Sequence, residues 1–212
     1  MTTTASDLFF VHIPMNGGIS IVRVGKNHEI DWGYNYLKKN EISLWHVPYA
    51  MYKYPKESTQ CFTVIRDPYD RLISAYNFLF KNVTNDEASM KKFNDWVFNR
   101  MLFIQPLLED VQGNIQKFKN DLSIHLLPQF FFTHDANNAE VVYYILRFEN
   151  LEKEFNALME EHNSEIRLDV HIGKSESVIT TEWLSKENIL LINEVYDKDF
   201  EIFGYQKLTV EV

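Results

Sequence analysis

Apolar residues along this chain gather into short β-rich runs, each followed by a stretch in which they recur at helical spacing. Cys61-Phe62-Thr63-Val64-Ile65 is the clearest run and has the length of a buried strand. After it, Leu72, Ile73, Tyr76, Leu79 and Phe80 follow a helical period. Between the two stands Arg66-Asp67-Pro68. Asp67 suits a helix N-cap, and Pro68 suits the first helical position, where its missing N–H costs no hydrogen bond. The segment therefore predicts strand, tight turn and helix. Leu8–Ile13 predicts an earlier strand, ending at Pro14. It is followed by the turn Met15-Asn16-Gly17-Gly18 and a helix that starts around Ile19-Ser20-Ile21-Val22.

Further along, Ile42–His46 predicts a short strand and Val141–Leu146 a third clear one, followed by a helix over Leu151–Met159 capped by Asn150. The region from Asn82 to about Asp121 reads as helical, entered through a cap at Thr84-Asn85-Asp86 and interrupted by a turn at Gln112-Gly113-Asn114. Its expected core residues are Trp96, Phe98, Leu102, Phe103, Leu107 and Leu108, and Phe130-Phe131-Phe132 is expected to pack inside. A last helix is expected from about Ser185 to Phe200, closing near Gly204. Strands alternating with helices predict an α/β fold, a mostly parallel central sheet flanked by helices. At 212 residues the expectation is a single domain over 1–212.

Composition narrows the function classes. A hydrophobic content of 45% with 15% aromatics is enough for a sizeable core. The formal net charge of −9 disfavours broad electrostatic binding to nucleic acid or anionic lipid, while leaving room for a local basic pocket that holds one small anion. Seven histidines show no HExxH spacing, and Cys61 is the single cysteine, so neither a metal site nor an internal disulfide framework is expected. The sequence has no apolar run of roughly 18 residues and no secretory pattern at its start. The expected location is cytoplasmic or otherwise soluble and intracellular.

Two strand–helix junctions carry the candidate chemistry. At the first, Gly17-Gly18 permits close backbone approach and positive φ, and its N–H groups can form a nest for phosphate or sulfate oxygens. A plain strand–helix turn is the alternative, and the spacing is not that of a Walker A loop. At the second, Arg66 offers a planar fork of donors for phosphate, with Arg71 and Ser74 further along the helix. The alternative there is an Arg–Asp pair tying strand to helix, with Ser74 a neutral helix residue. His46, at the C-terminal end of a predicted strand, is placed to face a ligand crevice and to act as a general base; a hydrogen-bonded structural side chain is the alternative for it, as for any of the seven histidines.

Together these pieces resemble the carbohydrate sulfotransferases of the Golgi membrane-bound type and their soluble microbial relatives. Phe9-Phe10-Val11-His12-Ile13-Pro14, then Gly17-Gly18 and Ser20, is similar to the family's HIPKTGGTS segment. Arg66-Asp67-Pro68-Tyr69-Asp70-Arg71-Leu72-Ile73-Ser74-Ala75-Tyr76 is similar to its RDPxxRxxSxY segment. Lesser echoes are His125 with Pro128-Gln129, Arg147-Phe148-Glu149-Asn150-Leu151, and Tyr196 with Asp199-Phe200 and Phe203-Gly204-Tyr205. The resemblance implies a fold like that of P-loop kinases and a co-substrate, 3'-phosphoadenosine-5'-phosphosulfate, with no metal. Met15, Asn16, Gly17, Gly18, Ile19 and Ser20 would cradle its 5' end, and Arg66 and Ser74, with Arg71, its 3'-phosphate. The implied partners are this nucleotide donor and a hydroxyl acceptor, a sugar or glycan, with His46 as base.

The sequence departs from the family pattern at Met15-Asn16, where the family has Lys-Thr, and at Ile19, where threonine is usual. The family lysine places positive charge beside the sulfuryl group and the leaving oxygen, and methionine supplies none. Three accounts stay open. Arg23, Lys26 or Lys174 can take the lysine's place, Met15 can be an introduced change, or the chain can be a nucleotide- or glycan-binding relative with impaired turnover.

Overall fold

The computed structural model describes residues 4–33, 60–120, 123–135, 137–168 and 177–210. The predicted strand at Ile42–His46 and the loop at Gly173-Lys174-Ser175 lie outside them. The described order is β1 (Phe9–Val11), α1 (Gly18–Asn27), β2 (Cys61–Ile65), α2 (Pro68–Leu79), α3 (Glu87–Ile104), α4 (Val111–Asn120), α5 (Phe130–Thr133), β3 (Tyr144–Arg147), α6 (Leu151–Glu161), α7 (Lys186–Val195) and α8 (Asp197–Phe203). Short 3-10 turns connect several of them. The fold is α/β, as expected. The sheet is parallel throughout in the order β1-β2-β3, with Val11 beside Thr63 and Ile65 beside Arg147.

The chain divides into two compact units, Met1–Arg66 with Phe131–Lys174, and Asp67–Phe130 with Ser175–Val212. The first holds the sheet. Phe10, Phe62 and Leu146 from the strands bury against Ile21 and Val24 of α1 and Phe155, Leu158 and Met159 of α6. Trp32 sits edge-on to Phe62 and Phe155 at 5.6 and 5.8 Å between ring centroids, and its indole N–H donates to the Ala5 carbonyl. Every residue of β2 is buried, which explains its near-continuous apolar run. Cys61 is buried at the start of β2.

In the second unit α2 begins as its sequence predicts. Asp67 is the N-cap and its carboxylate accepts from the Tyr69 and Asp70 N–H groups, with Pro68 in the first turn. α3 buries Phe93, Val97, Met101 and Ile104, one stripe at helical spacing. Tyr76 packs edge-on against Phe93 and Trp96 at 5.1 and 5.2 Å. Asp86 caps α3 through the Ser89 N–H.

Several boundaries differ from the sequence reading, each for a local reason. Leu102 and Phe103 were expected inside but are exposed, because α3 carries apolar residues on more than one side and only the 93/97/101/104 stripe faces inward. No turn forms at Gln112-Gly113-Asn114. The stretch is helical, and the Gly113 N–H donates to the Asp110 carboxylate, where a side chain on Gly113 would collide. The break lies earlier, in the 3-10 stretch Gln105–Asp110 that contains Pro106.

β3 starts at Tyr144 rather than Val141, because the Val141 N–H donates to the Thr133 carbonyl and Glu140 bridges His134, which turns that segment aside. Asn150 occupies the N-cap position of α6 without a side-chain capping bond. The expected last helix is two, α7 capped by Ser185 and α8 closed by Gly204 at φ +69°, with Tyr196 between.

Candidate active site

Because the three strands run parallel, their C-terminal ends share one edge of the sheet, the edge where open α/β sheets bind ligands. β1 ends there in the loop from His12 to Gly18, β2 in Arg66, and β3 in Arg147-Phe148.

The loop after β1 folds back under two left-handed residues, Met15 at φ +68° and Gly17 at φ +77°, before α1 begins at Gly18. Each glycine has a separate cause. Gly17 needs its left-handed φ, and a Cβ there would stand 3.0 Å from the Phe148 ring. Gly18 has ordinary backbone, but a Cβ on it would stand 2.2 Å from the His12 ring. His12 is buried and stacked on Phe10 at 5.5 Å, a fixed wall behind the loop.

Two hydrogen bonds tie the loop to β2. The buried Asn16 side chain donates to the Val64 carbonyl at 2.7 Å, and the Arg66 Nη1 donates to the Met15 carbonyl at 3.2 Å. The Arg66 guanidinium also lies over the Phe148 ring, with Cζ 4.1 Å from its centroid. The first unit therefore places the N-terminus of α1, with its positive dipole end, and an arginine in one corner. Of the first-turn donors, the Ser20 N–H goes to the Gly17 carbonyl, and the Ser20 side chain is buried. Ile19 is exposed. Arg23 and Lys26, named above as substitutes for the missing lysine, are both exposed on α1.

Arg71 and Ser74 lie on α2 in the second unit, one turn apart on the same face. Ser74 is half-buried. Arg71 is 1% exposed, and its Nη1 and Nη2 donate to the carbonyls of Leu127 and His125 at 2.9 and 3.0 Å. Two more buried groups hold the same stretch. The Tyr196 hydroxyl donates to the Leu126 carbonyl at 2.7 Å, and the Asp199 carboxylate accepts from the Gln129 and Phe130 N–H groups at 2.9 and 2.8 Å.

Burial pushes the Asp199 carboxyl above its ordinary range, against those hydrogen bonds and the Arg71 charge, and it pushes the Tyr196 phenol up. The stretch from Ser123 to Phe130 thus sits in a frame of three side chains and presents His125, whose ring meets the edge of Phe78 at 5.9 Å. Burial and the Arg71 charge hold His125 below its usual pKa. His46 and Lys174 lie outside the described residues.

Residues 34–206 match the family model described as Sulfotransferase family. The chain belongs to the sulfotransferase family. No curated protein and no solved structure matches it. This sulfotransferase is an enzyme that moves a sulfuryl group from a sulfate donor to a hydroxyl acceptor, and its family generally uses 3'-phosphoadenosine-5'-phosphosulfate as co-substrate. Among the described residues no group of three or more His, Cys, Asp or Glu side chains is placed to hold a metal ion, and no helix is long and apolar enough to cross a membrane.

Nothing in the local sequence of this sulfotransferase marks Phe148 for a role, nor Tyr196 and Asp199 as a frame. Their only signal was the lesser echoes around Arg147-Phe148 and Tyr196…Asp199. What each does depends on contacts between segments far apart in the chain, which no local pattern encodes.

Proposed function

We propose that this sulfotransferase uses 3'-phosphoadenosine-5'-phosphosulfate and delivers its sulfuryl group to a hydroxyl on a carbohydrate. The observation that carries the reading is the Arg66–Met15 contact, which brings the glycine-built turn and the arginine together at the edge of a parallel sheet. The donor is anionic at both ends and needs two kinds of grip. In this reading the loop from Met15 to Ser20 takes the 5' end through backbone N–H groups and the start of α1. Arg66 takes the 3'-phosphate with charge-assisted bonds.

In the transfer, the bond between sulfur and the oxygen bridging to phosphate breaks as the acceptor oxygen bonds to sulfur. The acceptor proton passes to a base, for which His46 is the candidate. Negative charge grows on the leaving oxygen, so rate depends on positive groups aimed there. Met15 supplies no charge; among the described residues the N-terminus of α1 and Arg66 bring positive potential to this corner.

The test is transfer of labelled sulfate from the nucleotide donor to a panel of glycans and simple alcohols, by wild-type protein and by Met15→Lys. Transfer to a glycan by the wild type supports the reading, and Met15→Lys should then be faster by a factor on the order of 10²–10³, the weight of one such electrostatic donor. Transfer only to non-sugar hydroxyls overturns the carbohydrate acceptor. Binding of 3',5'-diphosphoadenosine with no transfer by either protein favours a relative with impaired turnover.

A further inference from the structure

We infer that Phe148 is a positioning residue for the donor site: its ring sets the Arg66 guanidinium and the Gly17 turn against one another, so that the two anion-gripping parts form one rigid unit. The inference rests on the donor reading above and adds to it a residue that makes no contact with the donor's charge.

Three observations meet on this one ring. Its face carries the Arg66 guanidinium, with Cζ 4.1 Å from the centroid. Its edge closes on Gly17, where a Cβ would stand 3.0 and 3.1 Å from two of its carbons. Its backbone follows β3 directly, and β3 is paired to β2 with Ile65 beside Arg147, so the ring comes from the strand neighbouring the one that ends in Arg66. The ring also packs against the buried cluster of the first unit, which anchors it.

A guanidinium has five N–H donors in a plane and cannot lose its charge. Contact through the face of an aromatic ring uses none of these donors, yet it fixes the plane in which they lie. The Met15 carbonyl then fixes one edge of the fork. An arginine on a flexible stem would lose rotamer freedom on gripping phosphate, whereas one already stacked has lost it beforehand. The same ring leaves no room for a side chain on Gly17, so the turn and the arginine are registered by a single group.

The experiment is calorimetric titration of 3',5'-diphosphoadenosine and of 5'-AMP into wild-type protein, Phe148→Leu, Phe148→Met, Phe148→Tyr, Arg66→Ala and the double variant Phe148→Leu/Arg66→Ala, with thermal melts of each. Phe148→Leu and Phe148→Met should weaken the diphosphonucleotide roughly tenfold, the weight of a partly desolvated cation–π contact, while Phe148→Tyr stays within about threefold of wild type. In the Arg66→Ala background, Phe148→Leu should cost nothing further. Methionine is unbranched and adapts to the space the ring leaves, so a folding defect confined to Phe148→Leu leaves the measurement intact. If Phe148→Leu costs as much with Arg66 absent as present, or if Tyr fails as badly as Met, the ring is packing alone and the inference is overturned. Wild-type protein with no affinity for the diphosphonucleotide overturns the donor reading and this inference with it, whereas wild-type binding with additive losses overturns this inference alone.

Discussion

Gly18 lies against His12 so closely that a Cβ on the glycine would fall 2.2 Å from both Cδ2 and Nε2 of the ring. The ring is buried and stacked on Phe10, so it has nowhere to go. Alanine at a helix start would otherwise gain up to about 1 kcal/mol over glycine. Overpacking a closed site costs about 1–3 kcal/mol, and with so short a contact the clash wins. Gly18→Ala should therefore lower the melting temperature by several degrees. His12→Ala placed in the same chain should recover most of that loss, because the second change removes the obstacle created by the first. A Gly18→Ala protein with full thermal stability would contradict the contact.

Arg66 is held by the Met15 carbonyl and the Phe148 ring, and it sits at the end of the most buried strand. If it grips the 3'-phosphate, Arg66→Ala should weaken 3',5'-diphosphoadenosine by tens-fold, the size of a lost charge-assisted hydrogen bond, while 5'-AMP, which lacks that phosphate, loses far less. Equal losses for the two nucleotides would make the arginine a strut for the Met15 turn rather than a phosphate ligand.

How much of this was legible in the chain follows the range of the interactions. β2 and the start of α2 matched their sequence reading to the residue, because a fully buried strand, an Asp N-cap and a following proline are local signals. The Gly-Gly turn was also legible, but its reasons were not: Gly17 answers to Phe148 and Gly18 to His12. Arg71 shows the limit most clearly. Its sequence neighbourhood is that of a phosphate ligand, yet its guanidinium reaches the carbonyls of His125 and Leu127, which lie far along the chain. The exposed Leu102 and Phe103 failed for a different reason, since helical period alone does not choose between two apolar faces.

Tyr196 and Asp199 hold the same stretch with unequal consequences. Replacing Asp199 with alanine strands two buried backbone donors, those of Gln129 and Phe130, at about 1–3 kcal/mol each. Tyr196→Phe removes one donor from the Leu126 carbonyl, a loss of about 1 kcal/mol. Urea denaturation should rank Asp199→Ala well below Tyr196→Phe, with Asp199→Asn between them because one acceptor oxygen survives. The opposite ranking would mean that the frame is not held as described.

His125 makes the remaining prediction one of pH. Burial, and after it the Arg71 charge, lowers its pKa in the folded protein, while the unfolded chain protonates near the ordinary value of 6.5. Below that value the unfolded state binds a proton that the folded state resists, so stability should fall as the pH drops through about 6.5 and be unaffected by this group above it. His125→Asn removes the titrating group but retains a polar side chain, and it leaves untouched the backbone carbonyl that Arg71 uses. Measured by denaturant unfolding from pH 8 to pH 5, the wild-type curve should bend downward more steeply than the variant's. Identical slopes would show that the imidazole is solvated as freely in the folded protein as in the unfolded chain.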